Sequence, residues 1–295
     1  MKRNNLSGLG VAMVTPFTSE KKIDWSALKK LTRFLIDEGV DYLVVMGTTG
    51  ESPAISPTEK QQILDTVLAE NKGTLPIVFG ISGNHTAGVV NDLSSYDLTG
   101  VDAILSASPY YNKPTQEGIY QHYKAIAENT KLPIILYNVP GRTASNINAE
   151  TTLRLAHDFQ NIVGIKEASG QMEQIMNIIH QRSDDFLVIS GDDALTWPLL
   201  AAGGDGVISV VGNGFPATFK SMIQAGLDGK MQEAQQIHYH VYPIISLLFA
   251  EGSPGGIKEV LAYRKIMGTD MRLPLVNVSE DLREALIKET RRILA

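Results

Sequence analysis

The sequence predicts an α/β fold: a (β/α)8 TIM barrel with a C-terminal helical extension. Three observations carry that prediction. Eight short apolar, β-branched runs recur along the chain, segments of helical period lie between them, and the strand signal stops at Pro216. Parallel strands buried on both faces read as near-continuous apolar runs, and crossover helices must join them.

The apolar runs fall at residues 10–14, 42–46, 77–81, 103–106, 134–137, 162–166, 187–190 and 206–210. Each is too short for a helix and is bounded by turn residues. Between them, residues 25–38, 57–70, 116–127 and 172–182 repeat apolar side chains at three and four, the spacing of one helix face. Eight strands with seven crossovers predict closure into a barrel. An open doubly wound sheet uses the same units, but no G-x-G-x-x-G follows the first strand. Beyond residue 215, helical segments continue through 231–250, 257–266 and 278–294. The reading is a barrel core over 1–215 and C-terminal helices over 216–295 packed on it, one structural unit without a low-complexity linker.

Composition excludes several classes of function. Twenty-six basic and 32 acidic side chains leave a formal charge of -6, and no basic block is long enough to track a nucleic acid backbone. Cysteine is absent, so neither disulfides nor a thiol nucleophile is available. Lys2 and Arg3 ahead of an apolar stretch imitate a secretion leader, but two glycines interrupt it and no cleavage site follows, so a barrel strand is expected there. No apolar run is long enough to cross a bilayer, and a cytoplasmic protein with no membrane partner is expected.

In a barrel of this kind the chemistry sits at the carboxyl ends of the strands. Lys166 ends the run Ile162-Val163-Gly164-Ile165 and would place one ammonium in the barrel mouth, where loss of water favours the neutral, nucleophilic amine. A salt bridge to the adjacent Glu167, or a solvated strand end, is the competing reading. Gly47-Thr48-Thr49-Gly50-Glu51-Ser52 after the second strand offers amides and two hydroxyls to a carboxylate, or else a threonine or serine that caps the next helix. Tyr110-Tyr111 and Tyr137 can pass protons, or pack. Arg142, in Asn138-Val139-Pro140-Gly141-Arg142-Thr143, can present a guanidinium to a carboxylate, or lie on the surface. The glycines at 203, 204, 206, 212 and 214 sit where barrels often bind phosphate, and close packing explains them as well. The six histidines are scattered, and no metal site is expected.

Taken together, Gly47-Thr48-Thr49-Gly50-Glu51, Pro109-Tyr110-Tyr111-Asn112, Tyr137-Asn138-Val139-Pro140 and Gly164-Ile165-Lys166-Glu167 resemble the dihydrodipicolinate synthase and N-acetylneuraminate lyase superfamily over essentially the whole chain. The resemblance implies that Lys166 forms a Schiff base with pyruvate, that Thr49 holds the pyruvate carboxylate, and that Tyr137 handles protons. It further implies that Thr48 links Tyr137 to Tyr111, which reaches in from a neighbouring subunit of a homotetramer, a dimer of dimers. Gly191 and Ile208 match positions whose main chain lines the pyruvate pocket.

Arg142 resembles the arginine of the synthase branch, lyases of which condense pyruvate with L-aspartate 4-semialdehyde to 4-hydroxy-tetrahydrodipicolinate on the way to diaminopimelate and lysine. An aldolase for sialic acid or a 2-keto-3-deoxy sugar acid is the alternative, and a barrel that lost its reaction or a pyridoxal phosphate enzyme are further ones. The lysine imine makes a cofactor unnecessary. Lysine-inhibited synthases resemble the chain at Ser52, Asn84 and Tyr110, but here Pro57, Lys60 and Gly88 stand where they carry histidines and a glutamate. Weak or absent lysine feedback is therefore expected, because a cationic effector loses an acidic partner and meets an ammonium.

Overall fold

The computed structural model describes residues 6–295; Lys2 and Arg3 of the leader-like segment lie outside the described residues. Eight parallel strands, β1 (Gly8–Ala12), β2 (Tyr42–Val45), β3 (Ile77–Gly80), β4 (Ala103–Ala107), β5 (Ile134–Asn138), β6 (Ile162–Glu167), β7 (Leu187–Ser190) and β8 (Gly206–Ser209), close into a barrel in chain order. The expected (β/α)8 architecture is what the chain adopts. β1 begins two residues earlier than its apolar run, because Gly8 pairs with Gly206 and Leu9 donates its backbone N–H to Asp41 Oδ2 at 2.7 Å.

The helices are α1 (Trp25–Asp37), α2 (Pro57–Asn71), α3 (Thr86–Ser95), α4 (Gln116–Glu128), the single turn α5 (Pro140–Thr143), α6 (Ala149–Asp158), α7 (Met172–Gln181), α8 (Thr196–Ala201), α9 (Pro216–Leu227), α10 (Met231–Phe249), α11 (Gly255–Tyr263) and α12 (Glu280–Leu294). Their faces follow the sequence period. On α1, Leu28, Leu31 and Leu35 recur at three and four and are buried, each stabilising the fold by about 1.5–3 kcal/mol. Asp24 caps this helix, accepting from Ala27 N at 2.9 Å. α2 starts at a capping box in which Ser56 and Glu59 satisfy each other's backbone N–H.

Alternation along each strand sorts side chains into two layers. On β5, Ile134 and Leu136 join the layer between strands and helices, whereas Ile135 and Tyr137 join the barrel interior with Val44, Val78, Leu105, Leu187, Ile189 and Ile208. Tyr42 opens β2 beside Gly10, where an added Cβ would lie 2.2 Å from its ring. Small opposite large plugs the amino end of the barrel with a buried phenol, as a packed interior requires. Buried Leu→Ala changes in such a layer cost ~2–5 kcal/mol.

Candidate active site

Lys166 lies on the inward face of β6, in register with Tyr137 on β5 and Ile189 on β7. Its side chain is buried, and Nζ stands 4.2 Å from the centroid of the Tyr137 ring. Among the described residues it has no ion-pair partner. The alternation of the strand explains this directly. Glu167 faces outward, where its Oε1 accepts from Asn138 Nδ2 and Gln174 Nε2, each at 2.8 Å, and its Oε2 from Ser169 N at 3.1 Å. The adjacent carboxylate is therefore spent on amides behind the strand, and a Lys166–Glu167 salt bridge does not form.

The same outward network steadies the neighbouring strand. Asn138 follows Tyr137, and its side chain also donates to Asn146 Oδ1 at 2.9 Å while accepting from Ile147 N at 2.9 Å. The two strand ends carrying Tyr137 and Lys166 are thus tied back to back by buried side-chain hydrogen bonds. Removing one partner would leave a buried polar group unpaired, at ~1–3 kcal/mol.

After β2 the chain makes a tight 3-10 turn over Thr48–Gly50 with no side-chain cap. Neither threonine caps α2, since Ser56 does. Thr49 is buried, Thr48 opens to a cavity, and Thr15 Oγ1 donates to Gly50 O at 2.7 Å beneath the turn. Glu51 closes the turn in the left-handed region at φ 56°, its N–H donating to Thr48 O at 3.1 Å.

The cavity has a volume of about 370 Å³, and Thr48, Ser52, Lys60, Tyr110, Tyr137 and Arg142 all line it. Arg142 sits on the α5 turn, whose helical hydrogen bonds to Val139 O start right after β5, so its exposed guanidinium rims the opening. It makes no hydrogen bond or ion pair among the described residues. Tyr110 lines the cavity, but Tyr111 does not. Tyr111 adopts φ 74° and is 87 % exposed, turned off its own barrel.

Gly191 follows β7, and a Cβ there would come within 3.0 Å of Lys166 Cε. Its glycine leaves room for the lysine stem. Ile208 is buried in the interior cluster on β8. Asp193 Oδ2 accepts from Val210 N and Val211 N, both at 3.0 Å, which pins the turn after β8; burial pushes its carboxyl up to about 6. The late glycines answer packing. A Cβ at Gly204 would strike Leu199, one at Gly206 the backbone of Gly8, and one at Gly214 the Val260 side chain.

A lysine freed of its carboxylate, a phenol against it and a guanidinium at the rim raise the question of kinship. The model of the dihydrodipicolinate synthetase family matches residues 5–292. The chain belongs to this family. It is 50% identical over 286 residues to a 4-hydroxy-tetrahydrodipicolinate synthase of Flavobacterium psychrophilum, covering 97% of this chain and 98% of the relative. The synthase of Parabacteroides distasonis is 49% identical, with 96% of each chain covered. Among solved structures, the chloride-inhibited dihydrodipicolinate synthase of Acinetobacter baumannii complexed with pyruvate matches with a TM-score of 0.95 at 37% identity, covering 98% of this chain and 99% of that one. The lysine-bound enzyme of Cyanidioschyzon merolae gives 0.94 at 35% identity, over 97% and 98%.

Lys60 is a further cation lining this cavity. It projects from α2 into the same cavity as Ser52 and Tyr110, and burial pulls its ammonium below the usual lysine range while Asp92 pushes back. Asn84 donates to Tyr110 O at 3.3 Å from the neighbouring loop. Sequence reasoning missed the partner of Glu51, which is Lys258, 207 residues away on α11. The available signal was the charged pair Lys258-Glu259 inside the otherwise apolar stretch from Ile257 to Leu261. Among the described residues no cluster of metal ligands occurs.

Proposed function

We propose that this member of the dihydrodipicolinate synthetase family condenses pyruvate with L-aspartate 4-semialdehyde to 4-hydroxy-tetrahydrodipicolinate through an imine on Lys166. The observation that carries the reading is the buried Lys166, 4.2 Å from the Tyr137 ring and without a carboxylate partner among the described residues, beside a cavity rimmed by Arg142, whose guanidinium is likewise uncommitted among them. Lys166 Nζ attacks the ketone carbon of pyruvate and water leaves, giving a cationic imine. The Thr49 hydroxyl and the amides of its turn hold the pyruvate carboxylate. The imine draws electrons from the methyl group, a proton departs and an enamine forms.

The enamine carbon attacks the aldehyde of the second substrate, whose carboxylate meets Arg142 in charge-assisted hydrogen bonds. Tyr137 protonates the new alkoxide. The substrate's amine then closes on the imine carbon, and Lys166 leaves as the free amine. Thr48 relays protons between Tyr137 and Tyr111 of a neighbouring subunit in a tetramer built from dimers. The left-handed, 87 % exposed Tyr111 supports that assignment, since its phenol makes no hydrogen bond among the described residues. The main chain at Gly191 and Ile208 lines the pyruvate end. The lysine imine supplies the electron sink, so the scheme requires no cofactor, and a cytoplasmic location accompanies the biosynthetic role.

The test is intact mass after pyruvate and borohydride, followed by a coupled assay with the semialdehyde. Wild type is expected to gain a reduced pyruvate adduct, and Lys166→Ala to gain none. Arg142→Ala should keep the adduct and raise KM for the semialdehyde ~10–100-fold, the loss of a charged hydrogen bond of ~1.5–3 kcal/mol. Wild type without an adduct refutes the imine; an adduct without turnover of the semialdehyde refutes the second substrate.

A further inference from the structure

The turn that carries Thr48 and Thr49 is anchored by a part of the chain remote from it in sequence. Glu51 closes that turn with its backbone and pairs its carboxylate with Lys258 of α11. Both side chains are buried, at 1% and 0% exposure. The ammonium also donates to Asp270 O at 2.8 Å and lies 4.7 Å from the Phe17 ring centroid, while Glu51 Oε2 accepts from Arg272 N at 3.2 Å. One carboxylate therefore joins the turn to α11 and to the segment that follows it.

Stability alone does not account for this pair. Two ions taken out of water lose much of what their attraction returns, and well-packed apolar residues of the same volume serve the folded state as well or better. Burial pulls the Lys258 ammonium down, and Glu51 is the main group pushing it back. What an ion pair does supply is direction. Glu51 at φ 56° and ψ 33° occupies a backbone region unfavourable for a residue with a Cβ, and its tethered carboxylate fixes that conformation. A Cβ at Gly50 would lie 3.2 Å from Met13 O, so the turn is also pressed close to β1 and has little room to drift.

We propose that Glu51 and Lys258 are a positioning pair, through which the C-terminal helices set the Thr48–Thr49 turn at the pyruvate-carboxylate end of the site. The inference rests on the role of Thr49 given under the proposed function. Neither residue lines the cavity. Their loss acts through the turn, on pyruvate rather than on the semialdehyde held at Arg142.

The test compares wild type, Glu51→Gln, Lys258→Met and the double variant Glu51→Gln/Lys258→Met. The readouts are thermal midpoint, the pyruvate concentration giving half-maximal borohydride trapping, and KM for the semialdehyde at saturating pyruvate. Lys258→Met leaves a buried carboxylate unpaired and is expected to lower the midpoint; the double variant removes that charge and restores it. In the folded double variant, half-maximal trapping should still need at least ~10-fold more pyruvate, the effect of a misplaced binding group, with the semialdehyde KM little changed. A double variant with a restored midpoint and wild-type pyruvate half-saturation would overturn the proposal, as would an equal rise in both substrates' constants. Failure of the imine reading is seen separately, as absence of trapping in wild type.

Discussion

Gly191→Ala tests the room left for Lys166. The new Cβ would stand 2.8 Å from Ala168 Cβ, 3.0 Å from Lys166 Cε and 3.1 Å from its Cγ. Carbon atoms rest at about 3.5–4.0 Å, so the lysine stem must retreat by roughly 0.5–1 Å. The stem is flexible and gives way; Ala168, directly after β6, gives less, and overpacking there costs ~1–3 kcal/mol of stability. An amine displaced by about 1 Å from its line of attack loses on the order of 10²-fold in rate. That is about 2.7 kcal/mol in barrier. The assay is the rate of pyruvate-dependent borohydride trapping at saturating pyruvate, with urea unfolding as the control for fold. A folded variant that traps within about threefold of wild type would refute the packing argument, because the two close contacts to the lysine stem would then be of no consequence.

Other perturbations have equally definite outcomes. His122 of α4 is buried with Nδ1 against the Thr86 hydroxyl at 2.9 Å, and burial pulls its pKa from 6.5 to about 4. A histidine held neutral adds stability that is fully present above pH 6.5 and is lost as pH falls from there toward 4, up to about 3 kcal/mol. Urea midpoints taken between neutral and acid pH should show that loss, and His122→Leu should flatten it. Gly206→Ala would put a Cβ 2.1 Å from Gly8 O at φ 146°, backbone against backbone, and should cost about 4 kcal/mol or more by chemical denaturation. Lysine should inhibit turnover weakly, because Lys60 projects into the cavity beside Ser52 and Tyr110; Lys60→Glu should increase sensitivity. Strong inhibition of wild type well below millimolar lysine would contradict this.

The βα alternation made the barrel legible, since parallel strands covered on both faces leave an apolar signal that nothing else in the chain imitates. Lys166 was legible for the same reason, as a charge that closes such a run. Less could be read where the deciding partner is distant in sequence. The sequence neighbour Glu167 is the obvious partner for Lys166, yet strand alternation sends it to Asn138 and Gln174. Thr48 and Thr49 could have capped α2, and only the capping box at Ser56 and Glu59 releases them. Lys258 stands out in its apolar run, but its pairing with Glu51 is invisible to any local pattern, because it depends on how α11 packs against the turn. The start of β1 was displaced because a glycine at its head hid the strand, although Gly8 is what lets Asp41 approach: a Cβ there would sit 2.2 Å from Asp41 Oδ2.

The Tyr42 ring seated against Gly10 fills the amino end of the barrel, away from the cavity that Arg142 lines. Lys166 lies at depth and Arg142 at the rim, so on the proposed chemistry a second substrate bound at the rim obstructs the way to the amine below. Pyruvate must descend first and shed its water before the aldehyde arrives, and the finished ring must depart before another pyruvate can pass. The order of the reaction is in this sense a property of plumbing: an enzyme filled at one end queues its substrates by the depth of the groups that receive them.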